Sequence, residues 1–597
     1  MLGFTASRVQ IATYLCGVAL FSISFLVFLN SSISFVITQR IGQDNNVGGA
    51  VGTLGFADEL VALVACPAWG LLSDRIGVRS VAVLGYAIIG LSLCVLVQAR
   101  NVYPQLLLGR LLFSLGATAS ATMVTAILPA MTGIKAKAVD DSQSPTRRAG
   151  RTSHALAPSI SSESTITPAR FRSQSPTRFR SQSPTVDGAR KKNTVVSTSH
   201  LAGLVGMFTG CGALVALLVF LPLPTRFHNA GETSAAAVAD AFYVVGAIAI
   251  LVAVGCFFGL RNLPAEEGKG FHCLIQMQSY KTSETYSRPV LSYPRLFLAS
   301  VQLGFRSRNI GLGYLGGFVA RASSVAISLF IPLATNTYFL RTGECKVDPS
   351  SPSDIKNACP QAYKLAAMLT GVSQLIALLC APLFGYLSGR FPKFNVPLMV
   401  AATAGIIGYS AFASLKSPDP HNKDGSGAVF LIVALLGISQ IGAIVCSLAL
   451  LGRGIHNDEG GEDSHYREDL STNGTGHPSA GATPPRSPLP TPAGEDAPLL
   501  TDDNNYSDHT NHSAHQSALV PKSHTHLKGS IAGTYSLLGG FGILLLTKAG
   551  GALFDSSGPG APFVMMASFN AILLLVGTGV SIREAIQGRR KVEHGVR

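Results

Sequence analysis

Charged side chains are least expected inside long apolar runs, and four of those present could do chemistry: Asp58, Glu59, Arg110 and Arg321. Lys364 and Lys548 lie near run ends and are expected to reach towards the membrane surface. Holding an ionised side chain at the centre of a bilayer costs roughly 3 kcal/mol or more, so such groups are kept where they pair, bind a solute or relay protons. Asp58 and Glu59 are neighbouring carboxyls near the middle of one run. On a helix Glu59 shares a face with Gly52, Gly55, Ala62, Cys66 and Gly70. Small residues of that kind pack inside a bundle rather than against lipid. The carboxyl is therefore placed to take up and release a proton; a permanent ion pair or a wet vestibule is the competing reading. Arg110 shares its face with Ser114, Ala117, Ala121 and Thr125. It can neutralise either carboxyl and so give a proton carrier a switchable partner. Arg321 is its counterpart in the second half or a solute contact, and structural pairing competes with transport for both arginines. Asn30, Gln374, Gln440 and Asn570 are further polar groups at membrane depth. Most intramembrane amides bond a neighbouring helix.

Other chemistries lack their signatures. The sequence has no phosphate-cradling Gly-x-x-x-x-Gly-Lys-Ser/Thr loop, no nucleophile elbow and no zinc-protease motif. No Cys/His spacing suggests a metal site. Neither an enzyme, a cofactor nor a metal is expected. The ten cysteines fall mostly in apolar runs as small packing residues. Cys345 and Cys359 differ, because both lie in a loop at 335–360 expected to face the lumen or exterior, where a disulfide can close it.

The elements that must position these groups are membrane helices. A bilayer crossing needs about 20 apolar residues, and hydropathy places about twelve such runs. They lie near 10–37, 48–72, 80–99, 105–130, 200–222, 236–260, 309–334, 362–387, 395–415, 428–452, 529–553 and 562–582. Only 13% of the 597 residues are charged, against roughly a quarter in soluble domains. The first run is too long for a removed signal peptide and has no small-residue cleavage site. The net charge of +14 follows membrane sidedness. With a cytosolic N-terminus, alternate loops carry about 34 Lys and Arg against about 7 opposite. The expected partner is the lipid bilayer, not nucleic acid.

Between the second and third runs stands Gly70-Leu-Leu-Ser-Asp74-Arg75-Ile-Gly77-Val-Arg79. Pro67-Ala-Trp-Gly-Leu-Leu-Ser-Asp-Arg75 aligns without gaps to Pro382-Leu-Phe-Gly-Tyr-Leu-Ser-Gly-Arg390 at the matching place in the second half. A charged turn repeated once per half points to a duplicated transporter. Gly70 and Gly77 permit a tight reversal, and Asp74 can meet basic residues or a helix N-terminus.

The decapeptide resembles the loop signature between helices 2 and 3 of the major facilitator superfamily. The resemblance covers essentially all the chain except two insertions. It implies an all-α membrane protein with the major facilitator fold, 12 transmembrane helices in two pseudo-symmetric six-helix bundles that rock about a central cleft. In that family the signature's Asp and basic residues form a cytosolic latch. Gly70, Asp74, Arg75, Gly77 and Arg79 are accordingly the expected gate, with Arg390 from the second copy. Gly389 stands where the second Asp would be, so the latch is expected to be one-sided. Helices 1, 4, 7 and 10 line the family's cavity, which makes Asn30 and Gln440 cavity candidates beside Arg321. Arg110 is similar to the arginine of the family's helix 4 signature. Gly206-Met-Phe-Thr-Gly210-Cys211-Gly-Ala resembles the helix 5 signature of proton-coupled drug exporters, with Cys211 in place of its proline. The function implied is secondary active transport of a small solute by alternating access, in exchange for protons. A uniporter, a symporter and a non-transporting sensor are the alternatives.

Along the chain this gives helices 1–4 in 1–133, a basic cytosolic loop over 134–198, helices 5–6 in 199–260 and a central cytosolic loop over 261–308. Helices 7–10 follow in 309–452, a second insertion in 453–527, helices 11–12 in 528–584 and a tail in 585–597. Neither insertion has the apolar content to offset chain entropy, and both are expected to be disordered. The first carries the tandem copy Arg170-Phe-Arg-Ser-Gln-Ser-Pro-Thr177 and Arg178-Phe-Arg-Ser-Gln-Ser-Pro-Thr185. Ser144, Ser175, Ser183, Thr483, Ser487 and Thr491 precede prolines and are candidate kinase sites. The second insertion contains Glu495-Asp-Ala-Pro-Leu499-Leu500, which resembles the acidic dileucine signal of sorting adaptors. That favours a vacuolar or lysosomal membrane, with the plasma membrane as alternative. The sequons at Asn473, Asn505 and Asn511 share this loop and stay unglycosylated if it is cytosolic.

Overall fold

The computed structural model describes residues 6–43, 47–132, 184–263, 266, 269–270, 292–343, 360–391, 395–420, 425–456 and 524–595. Among them twelve helices are long and apolar enough to cross a membrane. Spans 1–6 are Arg8–Ile41, Gly49–Ile76, Val78–Leu96, Val102–Thr132, Val196–Asn229 and Ser234–Gly259. Spans 7–12 are Arg308–Arg341, Gln361–Arg390, Val396–Ala413, Ala428–His456, Lys528–Ser557 and Ala561–Gln587. Each coincides with one of the apolar runs. Since chain direction alternates, Arg75, Arg390, His456 and Lys528 share one end of the bundle, called here the basic end.

Three loop boundaries differ from those expected. Helix begins at Pro184, inside the stretch assigned to the first insertion, and runs unbroken to Val215. Proline suits a first helical turn, and Ala189-Arg190-Lys191-Lys192 are good helix formers that continue the span. The last helix extends through the expected tail to Gly595. The central loop contains a helix at Tyr293–Arg306 that buries Leu296, Ser300 and Leu303. Its apolar residues recur at spacings of three and four, the period of a helix lying on a surface. The Ser-Pro sites, the dileucine signal, Cys345 and Cys359 lie outside the described residues.

Two long crossings join the halves, span 2 along span 11 and span 5 along span 8. The duplicated motif supplies the glycine for each. A Cβ on Gly70 would lie 2.5 Å from the Gly529 carbonyl oxygen and 2.8 Å from Gly533 Cα. Its aligned residue Gly385 approaches Gly203 so closely that a Cβ on Gly203 would lie 2.8 Å from Gly385 Cα. Small residues let helix backbones touch, so dispersion contacts form between backbones rather than side chains. The sequence repeat is a repeat of helix crossing.

Candidate functional site

At mid-membrane, the Arg110 Nε donates to Asp58 Oδ2 at 2.5 Å, and its Nη2 donates to Asn30 Oδ1 at 2.5 Å. These bonds tie spans 4, 2 and 1 together within the first half. Both ions are well buried, with side-chain exposures of 4% and 13%. The structure thus brings Arg110 to Asp58, and Asn30 holds the arginine in place. Asn30 is committed to that bond.

Glu59 occupies another face of the same helix, since successive residues are turned about 100° apart. It is half-buried and has no hydrogen bond or ion pair among the described residues. Arg321 of span 7 is the opposing charge that acts most strongly on it. Arg321 is also half-buried and makes no hydrogen bond or ion pair among the described residues. Its stem lies over Gly539 of span 11, where a Cβ would come within 2.8 Å of Arg321 Cγ. One turn along span 7, Ser324 accepts a hydrogen bond from Gln440 Nε2 at 2.9 Å, and Gln440 Oε1 accepts from Gln374 Nε2 at 3.3 Å. Asn570 instead accepts from Ser439 at 3.1 Å inside the second half. Its role is packing. Lys548, expected to reach towards the membrane surface, lies over the Phe56 ring at 4.1 Å and links the two halves.

The basic end is sealed. Asp74 accepts the backbone N–H groups of Gly529 and Ser530, each at 2.7 Å, and the Ser530 hydroxyl at 2.5 Å. A carboxylate at the start of span 11 also meets the positive end of that helix dipole. Both partners open to Asp74 are present, the helix N-terminus by hydrogen bonds and Lys269 by charge. Arg75 lies over the Tyr293 ring at 3.8 Å and Arg79 over Phe257 at 4.3 Å. Gly77 turns the chain with a φ of +93°, and a Cβ there would meet Glu266 Oε2 at 2.7 Å. Only glycine fits both demands.

At the corresponding corner of the second half, Gly389 stands where the Asp would be. There Arg453 Nη2 donates to Ser199 and Ser388 hydroxyls, both at 2.7 Å, and to the Ser388 carbonyl, joining spans 10, 5 and 8. Arg390 is exposed at the end of span 8. The buried arginine of this corner is Arg453, at 5% exposure.

Glu266, in the loop between the halves, completes the seal. Its Oε1 meets Lys528 Nζ at 2.5 Å and Lys269 Nζ at 3.2 Å, while Oε2 accepts the Val78 N–H at 2.9 Å. Burial alone would push this carboxyl up, but Lys528, Lys269 and the Val78 bond more than offset it and hold it below the ordinary carboxylate range. A lowered folded-state value stabilises the fold above the unfolded value, and that stability is lost as pH falls through the folded one. We expect Glu266→Gln to lower stability by about 1.5–3 kcal/mol near neutral pH. The difference from the parent chain should shrink only at acid pH, as melting curves recorded across a pH series will show.

Arg453, Lys528 and Glu266 were not singled out by the sequence reading. Their only signal is charge beside a span end, which usually means contact with water. In span 5, Gly203, Gly206 and Gly210 face Gly385, Val445 and Leu378 of the second half, and Gly212 abuts the Leu20 carbonyl of span 1. The glycine face that resembles an exporter signature is thus fully engaged in packing. Among the described residues no cluster of His, Cys, Asp or Glu could hold a metal ion.

Residues 20–138 match the family model of the Major Facilitator Superfamily. A Major Facilitator Superfamily transporter, FucP, in the outward conformation superposes with a TM-score of 0.54 at 11% identity, over 96% of this chain and 99% of that one. The fold is the major facilitator fold. A bacterial homologue of the iron transporter ferroportin in outward-facing state gives a TM-score of 0.51 at 12% identity, over 97% and 100% of the two chains. The human organic anion transporter MFSD10 (TETRAN) gives 0.50 at 12% identity, over 96% and 99%. No curated protein matches the chain by sequence. At these identities the superpositions speak for the major facilitator architecture and not for a solute. In that architecture spans 1–6 and 7–12 form the two bundles, and the Asp58–Arg110–Asn30 cluster lies within the first. Glu59 and Arg321 lie on spans of different bundles.

Proposed function

We propose that this chain is a secondary active transporter, moving a small solute by alternating access and coupling it to protons at Glu59. The observation that carries the reading is the pair of unsatisfied opposite charges, Glu59 and Arg321, one in each bundle. A charge left without a partner at membrane depth is costly, and rocking the bundles changes what each one meets. Asp58 is the weaker candidate for the proton, because Arg110 already holds it. The basic-end seal is the latch in its closed form, with Asp74 on span 11 and Arg453 between spans 5, 8 and 10.

Proton exchange, the form expected from the sequence, and proton cotransport differ by the charge of the solute. A cation competes with the proton for Glu59, so the two exchange. An anion competes with Glu59 for Arg321, so proton and solute travel together. The test is uptake of a metabolite panel into liposomes holding the full chain, with and without a pH gradient. Glu59→Gln should cut gradient-driven accumulation at least about tenfold, equivalent to 1.4 kcal/mol of lost coupling, while measurable counterflow persists. Accumulation unchanged by this substitution rules out Glu59 as the proton carrier.

A further inference from the structure

We propose that the solute is a small organic carboxylate bound at Arg321, and that it crosses together with one proton carried by Glu59. This deepens the proton-coupled reading above and rests on it. Glu59 lies about 25 Å along span 2 from the basic end, and Arg321 about 20 Å along span 7, at 1.5 Å per helical residue. They are at similar depth.

The charges around the pair leave few other assignments. On span 2, Asp58 is consumed by Arg110 of span 4. Tyr535 of span 11 shares a hydrogen bond with Ser447 at 3.2 Å. Lys548 of the same span is over Phe56, and Cys66 is a buried thiol on span 2. Glu59 is therefore the only uncommitted carboxylate acting on Arg321 among the described residues, and it stops short of a 4 Å contact. A guanidinium is a rigid planar fork whose geometry matches the two oxygens of a carboxylate. A neutral or cationic solute would make no use of that fork. Beside it, the Gln374–Gln440–Ser324 chain presents the second N–H of each amide from spans 8 and 10, held in place by Ser324 of span 7. The missing side chain of Gly539 gives the arginine stem its place.

The sign of coupling follows from charge. In the empty carrier, ionised Glu59 and Arg321 sum to zero. When a monocarboxylate takes the arginine, Glu59 loses its counter-charge and is neutralised by a proton, so the loaded carrier again sums to zero. Only these two forms cross without a net charge in the interface. Solute and proton thus favour each other's binding, and by linkage the effect is reciprocal.

The experiment uses the full chain in liposomes loaded with a pH dye. Radiolabelled lactate, succinate and glutamate are the probes, with glucose and lysine as neutral and cationic controls. Uptake of at least one carboxylate, with acidification of the interior in step, is expected. Arg321→Gln should reduce it at least tenfold, and Arg321→Lys should restore part of it while raising KM more than it lowers the maximal rate. Monodisperse elution of both variants separates loss of transport from loss of folding. Transport of glucose or lysine in preference to every carboxylate, still abolished in its pH dependence by Glu59→Gln, overturns the carboxylate assignment and leaves the proton-coupled reading standing. Carboxylate uptake with protons running the opposite way also overturns it. Transport of any solute without pH dependence sinks both readings, and failure of all three carboxylates to move sinks this one.

Discussion

Arg110→Ala is expected to be among the most damaging single substitutions in the chain, costing roughly 3–5 kcal/mol. Arg110 is almost fully buried and is the only ion partner of Asp58 among the described residues. Asp58 Oδ1 already has no hydrogen-bond partner, so removing Arg110 leaves an isolated carboxylate inside the first bundle. It also strips Asn30 of its donor. The loss comes from the charge left behind, not from the net worth of the pair. Asp58→Asn combined with Arg110→Gln should therefore recover most of the lost stability, because no charge is then stranded. The check is apparent melting temperature in detergent for Arg110→Ala and the double variant beside the parent chain. Equal melting of Arg110→Ala and the parent chain would show that the pair is dispensable to the fold.

The fold was legible because lipid imposes a simple rule. Backbone polar groups in a bilayer must bond within their own segment, so long apolar runs have to be helices. The duplicated Pro67–Arg75 and Pro382–Arg390 segments then announced two halves, and their glycines mark the two crossings that join them. The site was legible in part. Intramembrane charges stand out in any sequence, and the structure joins Asp58 to Arg110 while Glu59 and Arg321 make no hydrogen bond or ion pair among the described residues. Which carboxyl pairs with Arg110 was not readable, because Asp58 and Glu59 are adjacent and only the rotation of span 2 against span 4 decides it. Asn30 illustrates the same limit: an amide at membrane depth has no sequence mark that separates holding an arginine from facing a solute. The seal was legible through Asp74 but not through Arg453, Lys528 or Glu266. A charge at a span end looks solvated until the opposite bundle is placed over it, as Lys528 at 1% exposure shows. The boundary at Pro184 was missed because polar helix and polar loop have similar composition when the helix projects from the membrane.

Asp74→Ala should shift the resting equilibrium towards the form open at the basic end. The carboxylate accepts three hydrogen bonds from span 11, two of them from backbone N–H groups that nothing else in that first turn satisfies. Loss of an N-capping side chain alone costs about 0.5–2 kcal/mol, and hydrogen bonds to a charged group contribute about 1.5–3 kcal/mol each. These bonds cross between bundles, so they stabilise the sealed form and contribute nothing once the bundles part. Part of the loss is recovered when water reaches Gly529 and Ser530 in the open form. A net change of about 3 kcal/mol alters the ratio of the two forms by roughly a hundredfold. Spin labels on the exposed positions Arg261 and Arg390, introduced as Arg261→Cys and Arg390→Cys in a cysteine-depleted chain, report the distance between bundles at this end. The parent chain should give one short distance, and Asp74→Ala should add a longer population. Asp74→Asn, which keeps one acceptor, should fall between them. If all three chains give the same distribution, the glycine crossings at Gly70 and Gly385 hold the seal without Asp74, and the latch is backbone packing alone.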